Sequence, residues 1–333
     1  MERMSIKDVA KRANVSTATV SHVINETRFV SEQTKKRVYE AMRELDYQPN
    51  SVARSLRSRK TNTIGLLVPL VASDISNFFF MSIANGIEQG LKERGYNLIL
   101  SNSNEDFETE KEQIKGFNTQ LIDGLIIAPS LGEGDKYVEL INDNYPVVFI
   151  DRKIDQSFGD MILVDNKGAT YQAVQSLIEK GHKQIGMICG TLGVTTSNDR
   201  YESFQQVIAD HEQQEVISTI KIGIPNYENG FTLAKELIDK GVTAIFVANN
   251  IMTVGAMAAL QQYGKKIPQD VAIVGYDDHD WMKITSPPLS TVKQPSFELG
   301  KRSVMRLLER IEGDKGRSRI EYLPSQFIER SSS

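Results

Sequence analysis

The sequence predicts an all-α helix-turn-helix head followed by an α/β body of two doubly wound parallel-sheet lobes, and three observations predict it. Apolar residues recur at helical spacing through the first 48 positions; from Thr63 onward short apolar runs alternate with helical stretches; and charge is divided unequally between the two parts. Residues 1–60 hold 13 Lys and Arg against 7 Asp and Glu, a charge of +6, which leaves −10 for the rest of a chain whose net charge is −4. A basic head on an acidic body directs the head at a polyanion and keeps the body off it.

In the head, Ile6, Val9, Ala10 and Ala13 lie on one helical face, Asn14-Val15 breaks the run, and Ser16 caps a second helix whose apolar stripe is Val20, Val23 and Ile24. The second helix turns Thr17, Ala18, Ser21 and His22 outward. Small polar side chains in a row fit a groove about 12 Å wide and reach base edges there. A third helix opens at Ser31-Glu32 and offers Val38, Ala41, Met42 and Leu45 to close a small core, with Lys35, Lys36 and Arg37 in its first half.

Tyr47-Gln48-Pro49-Asn50 ends this module, and the 11 residues 51–61 form at most two or three helical turns, too few to stand alone in water. Arg54, Arg57, Arg59 and Lys60 flank the apolar Leu56. In a minor groove the cations neutralise phosphates while the leucine wedges between base steps. An ordinary basic linker is the plain alternative. The expected division is therefore a head over 1–48, a hinge over 49–61 and a body over 62–333.

In the body, strands are expected at 64–71, 96–102, 125–129, 147–151, 162–165, 185–189, 219–224, 244–249 and 271–276, and a last one at 320–328. Helical patterns at 80–94, 108–121, 136–142, 168–180, 200–211, 227–240 and 251–263 separate most of them, and a further helix follows Ser296. Near-continuous apolar strands linked by helices are buried on both faces, as in parallel sheets. About ten strands overfill one sheet, so two lobes are expected. The first is placed at about 62–161 plus 293–318, the second at about 162–290 plus 319–333.

The residues exclude several classes. Cys189 is the only cysteine, so neither an intrachain disulfide nor a multi-cysteine zinc site is available. His22, His182, His211 and His279 are scattered, with no nucleophile, phosphate loop or metal spacing beside them; Asp277-Asp278-His279-Asp280 is contiguous and its side chains diverge. No metal, cofactor or catalytic activity is expected. The chain shows no export signal and no apolar run long enough for a membrane, which makes the cytoplasm the expected location.

Three separated stretches, in this order, resemble the lactose-repressor/galactose-repressor family of bacterial transcription factors. They are Ile6-Lys7-Asp8-Val9-Ala10 with Val15-Ser16-Thr17-Ala18-Thr19-Val20-Ser21 and Asn25; Tyr47-Gln48-Pro49-Asn50-Ser51-Val52-Ala53-Arg54-Ser55-Leu56; and Val274-Gly275-Tyr276-Asp277-Asp278 with Pro287-Pro288-Leu289-Ser290-Thr291-Val292-Lys293-Gln294-Pro295. The resemblance implies a homodimer on a near-palindromic operator. Ser16, Thr17, Ala18, Thr19, Ser21, His22 and Asn25 would contact DNA from the head, and Asn50, Arg54, Leu56 and Arg57 from the hinge. It also implies a periplasmic-binding-protein-like body that takes a small effector, a sugar or sugar phosphate, between its lobes and so alters DNA affinity.

Carried over residue by residue, the effector positions are Phe78, Phe79, Asp151, Arg200, Asn249 and Asp277. The three polar strand-end residues Asp151, Asn249 and Asp277 stand where ligands of open α/β sheets bind. Trp281, the only tryptophan, could stack on a sugar ring or pack on the lobe surface. His22 replaces the family's usual arginine, which predicts a different half-site. Asn250 replaces a frequent aspartate and is left to cap the helix that follows. Val194 stands where purine-responsive members carry arginine, which disfavours a purine. The alternatives are a catabolite-control regulator whose body binds a phosphorylated carrier protein and, less in keeping with the basic head, a solute-binding protein.

Overall fold

A computed structural model describes residues 4–48, 60–71, 77–130, 132–141, 144–155 and 158–333. The chain divides into two compact units, Met1–Thr61 and Asn62–Ser333.

The first unit packs α1 (Ile6–Ala13), α2 (Thr17–Asn25) and α3 (Glu32–Glu44) around Val9, Ala10, Ala13, Val20, Val23, Val38 and Ala41. Each helix start is fixed by a side chain. The Asp8 carboxylate accepts from the Ser5 N–H at 2.9 Å and the Ser5 hydroxyl at 2.6 Å, bonds that hold its pKa below the ordinary carboxylate value. Ser16 Oγ accepts from the Thr19 N–H at 3.0 Å, and Ser31 does the same for Thr34. Asn14 ends α1 in the left-handed conformation at φ 52°, which makes the turn tight.

The second unit holds two six-stranded sheets. With β1 (Thr63–Val68), β2 (Asn97–Asn102), β3 (Gly124–Ile127), β4 (Val147–Ile150), β5 (Asp160–Asp165) and β11 (Ile320–Pro324), the first has the order β11-β5-β4-β3-β1-β2, all parallel. With β6 (Gln184–Cys189), β7 (Ile217–Ile222), β8 (Ala244–Val247), β9 (Ala272–Tyr276), β10 (Ser290–Lys293) and β12 (Gln326–Ile328), the second has the order β12-β10-β9-β8-β6-β7, with only β12 antiparallel. The two orders match position for position. Each lobe carries apolar clusters on both faces of its sheet.

Helices α4 (Asn77–Lys92), α5 (Phe107–Gln120), α6 (Gly134–Leu140) and α12 (Ser296–Ile311) cover the first sheet. The second is covered by α7 (Asn166–Glu179), α8 (Thr195–Asp210), α9 (Tyr227–Asp239) and α10 (Asn250–Gln262), with the short α11 (Asp280–Ile284) beyond β9. Gly86 lets α12 approach α4 so closely that a Cβ there would lie 2.2 Å from the Phe297 carbonyl oxygen.

The lobe boundaries read from sequence need correcting in two places. Residues 162–165 belong to β5 and 320–324 to β11, and both strands pair in the first sheet. The reason lies at the start of β5, where buried Asp160 accepts from Arg310 Nε at 2.7 Å and the Arg319 N–H at 2.8 Å and pairs with Arg306. Burial alone would raise the Asp160 pKa, but these donors win and hold it below the ordinary value. They clamp α12 and the link after it to the first lobe.

The single strand expected at 320–328 is two, one in each sheet, divided at Ser325, whose hydroxyl donates to the Asp165 carbonyl. The chain therefore passes between lobes three times: at Asp165–Asn166, at Lys293–Ser296 and at Ser325.

Candidate effector cleft and DNA-reading helix

On α2, Thr17, Ala18 and Asn25 are exposed, as is the cap residue Ser16, while Thr19, Ser21 and His22 are half-buried. Several of these polar groups hold one another in place. Ser16 Oγ and Thr19 Oγ1 lie 2.9 Å apart, Asn25 Nδ2 donates to the Ser21 carbonyl at 2.8 Å, and His22 Nδ1 lies 2.8 Å from Thr27 Oγ1. The residues expected to act from the hinge, Asn50, Arg54, Leu56 and Arg57, lie outside the described residues.

In the body, the expected effector residues gather at the carboxyl ends of strands. Asp151 follows β4 and Asp277 follows β9, the third strand in each sheet order, so they are equivalent residues of the two lobes. Both take the left-handed backbone, at φ 64° and 63°, an unusual conformation for a non-glycine residue and one that tilts the side chain off the strand's course. Asn166 and Gln294 immediately follow β5 and β10 and form a second equivalent pair.

Arg200, on α8, is buried and held on three sides. Its Nε and Nη2 donate to Asn166 Oδ1 at 3.0 and 2.8 Å, its Nη1 donates to the Ala248 carbonyl at 2.9 Å, and its guanidinium lies 3.7 Å from the centre of the Tyr276 ring. Planar stacking and a forked set of bonds leave one orientation.

The two aspartates are treated differently. Asp277 is tied off: Oδ1 accepts from Gln294 Nε2 at 2.7 Å and Oδ2 from Asn250 Nδ2 at 2.8 Å. Asp151, also buried, has Arg152 Nε at 3.6 Å, too far for a hydrogen bond, because Arg152 is drawn into a bidentate pair with Glu105 and a bond to the Pro129 carbonyl. Burial pushes the Asp151 pKa up, and the attraction of Arg152 and Arg200 offsets only part of that.

The remaining expected effector residues differ in their surroundings. Asn249 is the N-cap of α10, its Oδ1 accepting from the Met252 N–H at 3.2 Å, while Asn250, expected to cap, accepts from the Ile251 N–H at 2.6 Å through Oδ1 and donates to Asp277 through Nδ2. Phe79 is 8% exposed and packs into the first lobe's core yet also borders the smaller of two cavities, whereas Phe78 is 64% exposed and borders it too. Trp281 packs on the apolar cluster of Leu260, Ile273 and Met282 and, like Arg200 and Asn249, borders neither of the body's two strand-end cavities.

A cavity of about 590 Å3 is bordered by Asp151, Asn166, Thr195 and Tyr322, and one of about 170 Å3 by Phe78, Asp277, His279 and Gln294. Residue-by-residue reading missed Asn166, Tyr276, His279 and Gln294. Their signal was position alone, at or just beyond strand ends. Among the described residues no cluster of His, Cys, Asp and Glu could hold a metal, and no helix is long and apolar enough to cross a membrane.

A helix-turn-helix unit joined to a two-lobed body with polar side chains at facing strand ends defines a ligand-responsive DNA-binding regulator. Comparison with known proteins specifies it further. Residues 5–50 match the bacterial regulatory proteins of the lacI family, and residues 174–333 match the periplasmic binding protein-like domain. The chain is 36% identical over 335 residues to the HTH-type transcriptional repressor PurR of Haemophilus influenzae (strain PittEE), covering 98% of each chain. It belongs to the lacI family of bacterial transcriptional regulators.

Among solved structures, the lac repressor dimer bound to operator and the anti-inducer ONPF matches with a TM-score of 0.88 at 29% identity, covering 99% of both chains. A LacI family regulator from Enterococcus faecium with bound ribose matches with a TM-score of 0.73 at 29% identity, over 81% of this chain and 98% of that one.

Proposed function

We propose that this regulator is a homodimeric repressor of carbohydrate-related genes that binds a near-palindromic operator and whose operator affinity is set by an uncharged monosaccharide held between the body's lobes. The observation that carries the effector reading is the pair of equivalent strand-end aspartates with Arg200 fixed beside Asn166. Acceptors and donors of this kind match the hydroxyl groups of a sugar. The solved relative with bound ribose supports the same class.

The lack of charge follows from the company the cations keep. Both arginines are committed, Arg152 to Glu105 and Arg200 to Asn166 and the Ala248 carbonyl, and two carboxylates repel a phosphate, while Lys153 and Lys293, which border the cavities, are exposed and screened by solvent. Phe78, Asp151, Arg200 and Asp277 would touch the sugar. Phe79 and Asn249 would shape its walls from behind, and Trp281 would brace α11.

Thr17, Ala18 and His22 would read bases, with His22 Nε2 presented because Thr27 holds Nδ1; Ser16, Thr19, Ser21 and Asn25 would fix the helix against phosphates. Asn50, Arg54, Leu56 and Arg57 would act in the minor groove. The protein works in the cytoplasm and catalyses no reaction.

The test uses a duplex selected by the full chain from a random library. Binding to it is followed while D-ribose, ribose 5-phosphate or adenine is added. Ribose is expected to change operator affinity and the other two to leave it unaltered. A response to adenine or the phosphate alone would overturn the reading.

A further inference from the structure

The loop after β9 contains one histidine, His279. Of Asp277-Asp278-His279-Asp280, the three carboxylates are accounted for: Asp277 by Asn250 and Gln294, Asp278 by Arg330 at 2.6 Å and Thr291 at 3.2 Å, and Asp280 by Lys283 at 2.7 Å. His279 is not. Its ring lies against Phe78, with centroids 5.7 Å apart and planes tilted by 56°, and its Nε2 is buried without a hydrogen-bond partner among the described residues.

A second atom shares that condition. Gln294 is 9% exposed; its Nε2 is spent on Asp277, and its Oε1 is likewise buried without a partner among the described residues. His279 and Gln294 line the same cavity of about 170 Å3, whose wall also contains Phe78 and Asp277. Buried polar atoms are nearly always bonded to something, so two exceptions on one cavity mark a place where a ligand completes the bonding.

The chemistry narrows that ligand. An amide oxygen only accepts, so the incoming group must donate a proton to Gln294 Oε1. A phosphate or carboxylate oxygen has none to give at neutral pH, and it would lie beside the Asp277 carboxylate. A hydroxyl donates once and still has lone pairs for an imidazole N–H. We propose that His279 is a specificity-determining residue of the effector site: His279 Nε2 and Gln294 Oε1 together receive one hydroxyl group of the sugar, with the Phe78 ring tilted against the imidazole. This rests on the reading of the cleft as a sugar site.

The test is calorimetric titration of the full chain, as parent, His279→Phe and His279→Gln, with D-ribose and its 2-, 3- and 5-deoxy analogues. Phenylalanine keeps a ring against Phe78 and removes the nitrogen; glutamine restores a donor. His279→Phe is expected to bind ribose about tenfold more weakly, as loss of one hydrogen bond implies, and His279→Gln within about threefold of the parent. One deoxy analogue should bind the parent weakly yet lose nothing further against His279→Phe, the coupling that identifies the shared hydroxyl.

Equal ribose affinity in parent and His279→Phe, or deoxy penalties that are the same in both, would overturn the proposal while leaving the sugar site intact. A parent that binds no member of the ribose series would overturn the reading and the proposal together. Unfolding midpoints show whether each variant is folded; if His279→Phe is not, His279→Leu, which also lacks the nitrogen, replaces it in the deoxy comparison, and penalties equal to the parent's would overturn the proposal.

Discussion

The two lobes share one strand order, yet they treat the same residue in opposite ways. Asp277, after β9, is bonded through both oxygens to amides of its own lobe, Asn250 and Gln294, and so serves as a rigid post. Asp151, after β4, is equally buried but has its cationic neighbour turned away by Glu105, which leaves its oxygens open to a ligand and burdens the fold with a desolvated charge. Equivalent positions in a repeated architecture thus divide the work: one lobe presents a fixed wall, the other an acceptor whose cost is recovered when something donates to it.

That contrast predicts graded effects. The largest belongs to Arg200→Ala, which removes the one side chain in contact with Asn166, the Ala248 carbonyl and the Tyr276 ring. Ribose affinity measured by calorimetry is expected to fall about a hundredfold, the scale of a lost bond to a charged donor. A change below threefold would remove Arg200 from the binding surface.

Next is Asp277→Asn. An amide at this position turns an NH2 toward one of its two partners; Gln294 answers it only by flipping its amide, which leaves its Nε2 buried and unbonded, and the body should lose about 2 kcal/mol of stability in denaturant titrations. Stability equal to the parent would mean that the post carries no strain-bearing bond.

Smaller still is the loss of ribose binding in Asp151→Asn, about tenfold, since the amide oxygen still accepts. Its pH profile separates it from the other variants. The folded pKa of Asp151 is raised, so as pH falls the parent's carboxylate takes up a proton earlier than an ordinary aspartate with a pKa of 3.8, and ribose affinity should weaken from that higher pH downward. Arg152, Arg200, Glu105 and Asp277 are the charged groups that face it. In Asp151→Asn this part of the pH dependence should vanish.

Much of this is legible in the sequence. The helix starts in the head are written in Ser16 and Ser31, because a hydroxyl before an apolar stripe has one local use. The strand runs of the body follow from β-branched residues buried on both faces, and Asp151, Arg200 and Asp277 stand where strand ends and the family resemblance place them. What stayed hidden depends on contacts distant in sequence. Periodicity marks 160–165 and 320–324 as strands but cannot say which sheet they join; that is settled by Arg306 and Arg310 reaching Asp160 across roughly 150 positions.

Adjacent amides pose a finer problem. Asn249 takes the N-cap place expected of Asn250 because the start of α10 falls between them, and a one-residue uncertainty in a helix boundary decides which side chain caps and which also reaches Asp277. Trp281 sits on a helix of five residues, too short to show a face in the sequence, and only packing reveals that it braces the lobe.

The most direct test is the unfolding midpoint of the sugar-free protein at pH 7, measured for the parent, Asp151→Asn and Asp277→Asn. Asp151 has a raised folded pKa, so its ionised form costs stability at neutral pH, and that cost is absent below its unfolded value. Its neutral replacement should therefore melt above the parent, and the Asp277 variant below it. Midpoints that move in the same direction would contradict the division of labour between the lobes.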